Sequence, residues 1–213
     1  MTAAAIAPRR TRKSPEARRA QICAAAARMV LEEGISAITM ERLARETGIS
    51  KALVYNYFAT RDQLLAALLK REQTELRERG IGAALRAETF PELIRQTTRV
   101  YLEQVEHRGA LIAALLSDPS VGRLMEEESR EDRERTRRFF VKQVARTYEL
   151  PEGIAAASVD LLWAVTDAAG RALSQHELSI DEAEELCVQL ITGGLDRLAK
   201  TSRRRLKGSP KGG

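Results

Sequence analysis

Residues 39–61 read TMERLARETGISKALVYNYFATR. Thr39 is placed to cap a short helix over 40–46, and Thr47-Gly48-Ile49 reads as a tight turn. Ser50 caps a second short helix over 51–57. Ala59-Thr60 breaks it, and Thr60 caps another helix beginning at Arg61. Two short helices joined by so few residues form a helix-turn-helix. Ala44 falls where the two helices cross, so that a larger side chain would push them apart. Gly48 supplies the positive φ of the turn. Leu43, Ile49 and Val54 face inward, with Phe58 beside them, and fix the crossing.

With those positions buried, Lys51, Ala52, Tyr55 and Asn56 must project from the second helix, which has the size and shape to enter a DNA major groove. The side chains suit that surface. Lys51 can reach guanine acceptors or a phosphate, and Asn56 can read a base edge. Ala52 and Leu53 can touch thymine methyls. Tyr55 and Tyr57 offer hydroxyls to phosphates while their rings pack. The free N–H groups behind Thr39 and Ser50, and Arg61 at the next helix start, suit phosphate oxygens.

Charge points the same way. The 213 residues carry a net charge of +5, unevenly spread. Residues 1–20 hold six cations against Glu16, and residues 201–213 hold five cations and no acid, which leaves the middle of the chain acidic. Basic ends suit an anionic polymer. We expect residues 1–13 to be a flexible basic arm that follows the DNA backbone or enters a minor groove, and 201–213 a flexible basic tail. A hydrophobic content of 44% is enough for a packed core, and the low aromatic content with abundant Ala, Leu, Glu and Arg favours helix.

Helical patterns continue on both sides. Ser14-Pro15-Glu16 starts a helix that carries Ile22, Ala26, Met29 and Val30 inward and stops at Gly34. The helix from Arg61 carries Leu64, Leu65, Leu68 and Leu69 to about residue 79, where Gly80 and Gly82 loosen the chain. Further helices are expected over 90–107, from Gly109 to Leu116, over 120–149, over 154–175, and over 181–199 with Asp181 as cap. The fold class is therefore all-α, with about nine helices. Domains are expected at 14–60 for the helix-turn-helix head and 61–200 for a helical body. No run of apolar residues is long enough to span a membrane, and no signal-peptide core is present, so a cytoplasmic location is expected. Cys23 and Cys187 read as buried apolar residues; no metal site and no cofactor is expected.

The stretch 39–65 resembles the DNA-binding domain of the TetR/AcrR family of bacterial transcription regulators. The matching residues are Thr39, Leu43-Ala44, Gly48, Ser50, Tyr55-Asn56-Tyr57-Phe58 and Arg61, and the similarity covers residues 15–68. Arg61 stands where the family usually has Lys, and Ala52 where Gly or Pro is frequent. The resemblance implies a homodimer on a palindromic double-stranded DNA operator, acting as a repressor and released by a small effector. It also implies dimerisation through the last two long helices. Leu161, Val165 and Ala168 on one, and Leu190, Gly193, Gly194 and Leu195 on the other, are the interface candidates. Two glycines inside a helix cost about 1 kcal/mol each relative to Ala, which close approach of a partner helix would offset. Candidate effector contacts are Tyr101, Gln104, Leu111, Leu115, Met125, Phe139, Phe140, Trp163, Asp167 and Arg171. Their apolar character suggests a lipid, acyl thioester, aromatic or drug-like molecule. Asp167 and Arg171 lie one turn apart and can instead pair with each other.

Two rival readings compete. An enzyme would need a catalytic constellation, and the two histidines, His107 and His176, have neither metal spacing nor a nucleophile partner. A ligand-independent or architectural DNA-binding protein would use the same head, as would a transcriptional activator.

Overall fold

The structure, a computed structural model, describes residues 14–208 and the side chains of residues 14–203. The expected arm at 1–13 and the last residues of the expected tail, 209–213, lie outside the described residues. Eight α-helices and no strand are present among those described. They are α1 (Pro15–Glu33), α2 (Met40–Thr47), α3 (Lys51–Tyr57), α4 (Arg61–Arg86), α5 (Phe90–Leu116), α6 (Pro119–Tyr148), α7 (Glu152–Ser174) and α8 (Ile180–Gly208). A single 3-10 turn, Ile35–Ala37, joins α1 to the segment before α2. The chain packs as two compact units, one up to Leu68 and the other from Leu69.

In the first unit, local chemistry sets the helix ends. The Ser14, Thr39 and Ser50 hydroxyls each accept from the backbone N–H three residues on, at Ala17, Arg42 and Leu53. The Thr60 hydroxyl does the same for Gln63 at the start of α4. Gly48 has φ 66° and ψ 32°, the left-handed conformation that closes α2, and its N–H returns to the carbonyls of Ala44 and Arg45. Gly34 also has positive φ, at 86°, but its ψ of 167° turns the chain away in an extended conformation. The core is the expected set: Ile22, Ala26, Met29 and Val30 from α1, Leu43 and Ala44 from α2, Val54 from α3, and Leu64, Leu65 and Leu68 from α4, all buried. Ile38 and Phe58 complete it.

In the second unit, α5 packs on α7 and α8, and α7 packs on α6 and α8. One continuous core joins Leu93, Ile94 and Leu102 of α5, Val141 and Val144 of α6, Val159 and Leu173 of α7, and Cys187, Ile191 and Leu195 of α8. Around its edge, Arg95 and Arg99 of α5 converge on the almost fully buried Glu184 of α8.

Four boundaries differ from the sequence reading. Gly109 does not interrupt α5: Leu111 and Leu115 beyond it are fully buried, and Arg108 beside it is held by Glu72. Those contacts outweigh the propensity cost of about 1 kcal/mol for one glycine, so the expected nine helices become eight. Gly80 and Gly82 likewise lie inside α4, which continues to Arg86. At α8 the cap is Ser179, not Asp181. Ser179 and Glu182 form a reciprocal box, while Asp181 pairs with Arg99. The same helix runs on to Gly208, into the stretch expected to be a tail.

Glu72 is the one acid with 0% exposure, and Arg108 grips both its carboxylate oxygens at 2.7 and 2.8 Å. Such a pair is worth most when neither member is removed alone. Arg108→Leu should therefore destabilise the protein by about 3–5 kcal/mol in urea unfolding, and Glu72→Leu in the same chain should recover most of that loss.

Two tyrosines, the buried Tyr148 and the half-buried Tyr101, are held as neutral phenols. Burial and the nearby Asp167 carboxylate push Tyr101 up to about 12, and burial and Asp196 push Tyr148 up to about 12. Tyr101 also lies so close to α7 that a Cβ on Gly170 would sit 2.9 Å from its hydroxyl. In the unfolded chain both phenols ionise near their ordinary value of about 10. The unfolded state then binds fewer protons than the folded one, so stability falls as pH rises from about 10 to 12. A thermal-melt series across that range should show the decline, and Tyr101→Phe should flatten it.

Candidate nucleic-acid interface

The α2–α3 hairpin presents one polar surface. Val54 and Phe58 are buried beneath α3, against a head core that includes Leu43 and Ala44. Helical geometry then places Lys51, Ala52, Tyr55 and Asn56 together on the opposite face, and all four are exposed. Thr39 and Ser50, the caps of α2 and α3, are exposed beside them. Leu53 and Tyr57, also expected to touch DNA, are half-buried on the flanks of α3 instead. Ile49, expected inside, is likewise half-buried.

Arg61 departs most from its expected role on a phosphate. Its Nε donates to the Ile38 carbonyl at 3.2 Å and its Nη2 to the Ile35 carbonyl at 3.0 Å. Its Nη1 faces Asp62 at 3.3 Å. The guanidinium thus ties the start of α4 to the 3-10 turn, whose carbonyls need donors.

Two further residues of α1 do similar work, and sequence reasoning missed both. Gln21 donates its amide to the Thr47 carbonyl at the end of α2, at 2.9 Å. Arg19 donates to the Tyr57 carbonyl at the end of α3 and lies 4.4 Å over the Phe58 ring. The signal was present: Arg19 continues the buried stripe of Cys23, Ala26 and Val30 one turn backward. By sequence it was counted only as basic charge. Glu41 was also overlooked. It pairs across the hairpin with Lys51, whose ammonium lies 5.8 Å from the Tyr55 ring centre. The hydrogen bond from Lys51 holds the Glu41 carboxyl below its ordinary range and holds the Lys51 ammonium above its own.

In the second unit, the ten expected effector contacts differ in burial. Tyr101 donates to Asp167 at 3.2 Å, and the expected ion pair of Asp167 with Arg171 is absent among the described residues. Leu111, Leu115 and Met125 are buried core, Trp163 and Phe140 are half-buried against the core, and Phe139 and Arg171 are exposed. Gln104 is the exception: it is only 3% exposed, and its amide nitrogen has no hydrogen-bond partner among the described residues. A cavity of about 400 Å³ does form where α5 begins and α6 and α8 end, lined by Phe90, Tyr148, Asp196, Lys200 and Arg203 among others. None of the ten lines it.

The expected interface residues divide. Leu161 is 72% exposed and Leu190 51%, with Ala168, Gly193 and Gly194 also on the surface. Leu186 of α8 and Ile154 of α7 extend the apolar strip. A Cβ on either glycine would meet nothing within 4 Å, so nothing among the described residues requires them. Leu195, by contrast, is 2% exposed and belongs to the core, and Val165 is half-buried against it. Their positions on the inner sides of α8 and α7 explain both.

Residues 22–68 match the family model described as bacterial regulatory proteins, tetR family. The HTH-type transcriptional regulator BetI of Rhizobium meliloti is 32% identical over 113 residues, 53% of this chain and 56% of that protein. The nucleoid occlusion factor SlmA of Haemophilus influenzae is 32% identical over 83 residues, 38% of each chain. The chain thus spans about half or less of the length of these curated relatives. A TetR-like transcriptional regulator from Rhodococcus sp. RHA1 shares the fold, with a TM-score of 0.63, 21% identity, and 86% and 98% of the two chains covered. Among the described residues, no helix is long and apolar enough to cross a membrane. The family and the regulators among these relatives act in transcription rather than as enzymes. Residues 22–68, which include the capped α2–α3 hairpin, are thus similar to the corresponding segment of the tetR family of bacterial regulatory proteins.

Proposed function

We propose that the chain is a DNA-binding transcriptional regulator whose head reads a duplex with the exposed face of α3. The observation that carries this reading is the outward grouping of Lys51, Ala52, Tyr55 and Asn56 on a hairpin closed by buried apolar residues. Phosphates on either side would meet the free N–H groups at the starts of α2 and α3, beside Thr39 and Ser50. Arg61 supports the head from behind. Lys51→Ala and Tyr55→Ala should each weaken binding to a preferred duplex by about five- to fiftyfold, a loss of about 1–2.5 kcal/mol, with helicity unchanged. Fluorescence anisotropy on duplexes selected from a random pool measures it; unchanged affinity and preference in both variants would remove α3 from the interface.

The regulator would act as a homodimer in the cytoplasm, repressing transcription from a palindromic operator. The exposed strip of Ile154, Leu161 and Ala168 on α7 and Leu186, Leu190, Gly193 and Gly194 on α8 supports a two-fold four-helix interface. Leu161→Glu with Leu190→Glu should give a monomer at micromolar concentration by analytical ultracentrifugation, with the helix content kept. A wild-type chain that sediments as a monomer would exclude this interface.

Release by a small, apolar effector completes the proposal. The body from residue 61 to 200 would hold it, and a ligand acts by binding one conformation of the dimer better than the other. Gln104, buried with an amide N–H to spare, is the polar group best placed to receive one. A second reading, a DNA-binding protein that needs no ligand, is favoured by the similarity to a nucleoid occlusion factor. Genome-wide mapping of bound sites separates them: a few palindromes near promoters support the regulator, and broad occupancy supports the second reading.

A further inference from the structure

α2 carries two acids, and they are used differently. Glu46 reaches back to Arg28 on α1. Glu41 reaches forward to Lys51, the first residue of α3. A local partner is available to Glu41, since Arg45 lies one turn along the same helix. The carboxylate bridges the hairpin instead. Both members are more than half exposed, so the pair stands on the same side of the head as Tyr55 and Asn56. The ammonium that leads α3 is therefore already neutralised before any DNA arrives, and the Tyr55 ring lies against it as well.

An acid in this position has no use in simple attraction to DNA. It places negative charge where phosphates come closest, and it occupies a cation that would otherwise pair with any of them. An exposed pair is weak, about 0.2–1 kcal/mol, so a better partner displaces it readily. A guanine edge offers Lys51 two acceptors in fixed geometry, whereas phosphate oxygens accept from many directions and their attraction is diminished by salt.

We propose that Glu41 is a specificity-determining residue: it holds Lys51 on random duplex and gives it up only where a purine edge with paired acceptors lies beneath α3. This rests on the reading of α3 as the DNA-contacting helix. Lys51 then contributes to preferred sites and not to competing ones, which raises the ratio between them without tighter binding overall.

The test is a double-mutant cycle on DNA binding with full-length protein: wild type, E41Q, K51M and E41Q/K51M. Each is measured on a duplex selected from a random pool and on random duplex, over a range of salt. E41Q frees the ammonium for phosphates. It should bind random duplex about two- to fivefold tighter, the factor equivalent to an exposed pair, and its salt slope there should steepen by about 0.9. Affinity for the selected duplex should change less, so the specificity ratio falls. In the K51M background, replacing Glu41 should leave that ratio unchanged. E41A repeats the measurement with a variant that cannot hydrogen-bond, and matching helicity of all forms excludes loss of the hairpin. Equal gains on both duplexes, or the same gain with and without Lys51, would overturn the proposal and reduce Glu41 to a repelling charge. Wild-type affinity and slope in E41Q would overturn it as well. Failure of the wild type to select any duplex would instead overturn the reading of α3, and the proposal with it.

Discussion

The contact between α2 and α3 governs everything that the head displays. Leu43 and Ala44 from one helix and Val54 from the other, with Phe58 just past its end, are all buried. Gly48, at φ 66°, lets the chain reverse within the turn. Once those positions are buried, the helical period leaves no choice about the rest: residues 51, 52, 55 and 56 face out. The polar side chains of α1 and α4 then hold the arrangement by its carbonyls. Gln21 takes that of Thr47, Arg19 that of Tyr57, and Arg61 those of Ile35 and Ile38. These carbonyls lie at irregular helix ends, where a missing partner costs about 1–3 kcal/mol if buried; that of Ile35 also accepts the Ile38 N–H.

The second unit follows a different logic. Its core is broad and apolar, and its polar interior groups come in satisfied sets: Glu72 with Arg108, Glu184 with Arg95 and Arg99, Tyr101 with Asp167. Gln104 and Gln96 break that pattern, the first with an amide nitrogen and the second with an amide oxygen, each without a partner among the described residues. Outside, α7 and α8 leave an apolar strip that nothing among the described residues covers, including two glycines with open space where side chains would be. Both irregularities fall in the unit to which we assign effector binding and dimerisation.

The head was legible because its signals are local. Caps at Ser14, Thr39 and Ser50 and the turn at Gly48 depend on residues three or four apart, and buried faces follow from the helical period. The long helices were less so. Gly80, Gly82 and Gly109 looked like breaks because propensity is a local preference, while the contacts that override it, such as Arg108 with Glu72, join residues 36 positions apart. Leu190 and Leu195 looked alike in an apolar stripe; only packing against α5 and α7 separates the exposed one from the buried one. The roles of Arg19, Arg61 and Glu41 were hidden for a related reason. A charge near a DNA-binding surface invites assignment to DNA, and the sequence does not say when it already has a partner inside the protein.

The central claim, that the head reads a symmetric duplex through α3, is tested most directly by selecting duplexes from a random pool with the full-length protein and sequencing what is retained. The account predicts enrichment of an inverted repeat whose half-sites are separated by about one helical turn or a multiple of it. Retention of duplexes with no shared sequence, or of a motif without two-fold symmetry, would contradict it.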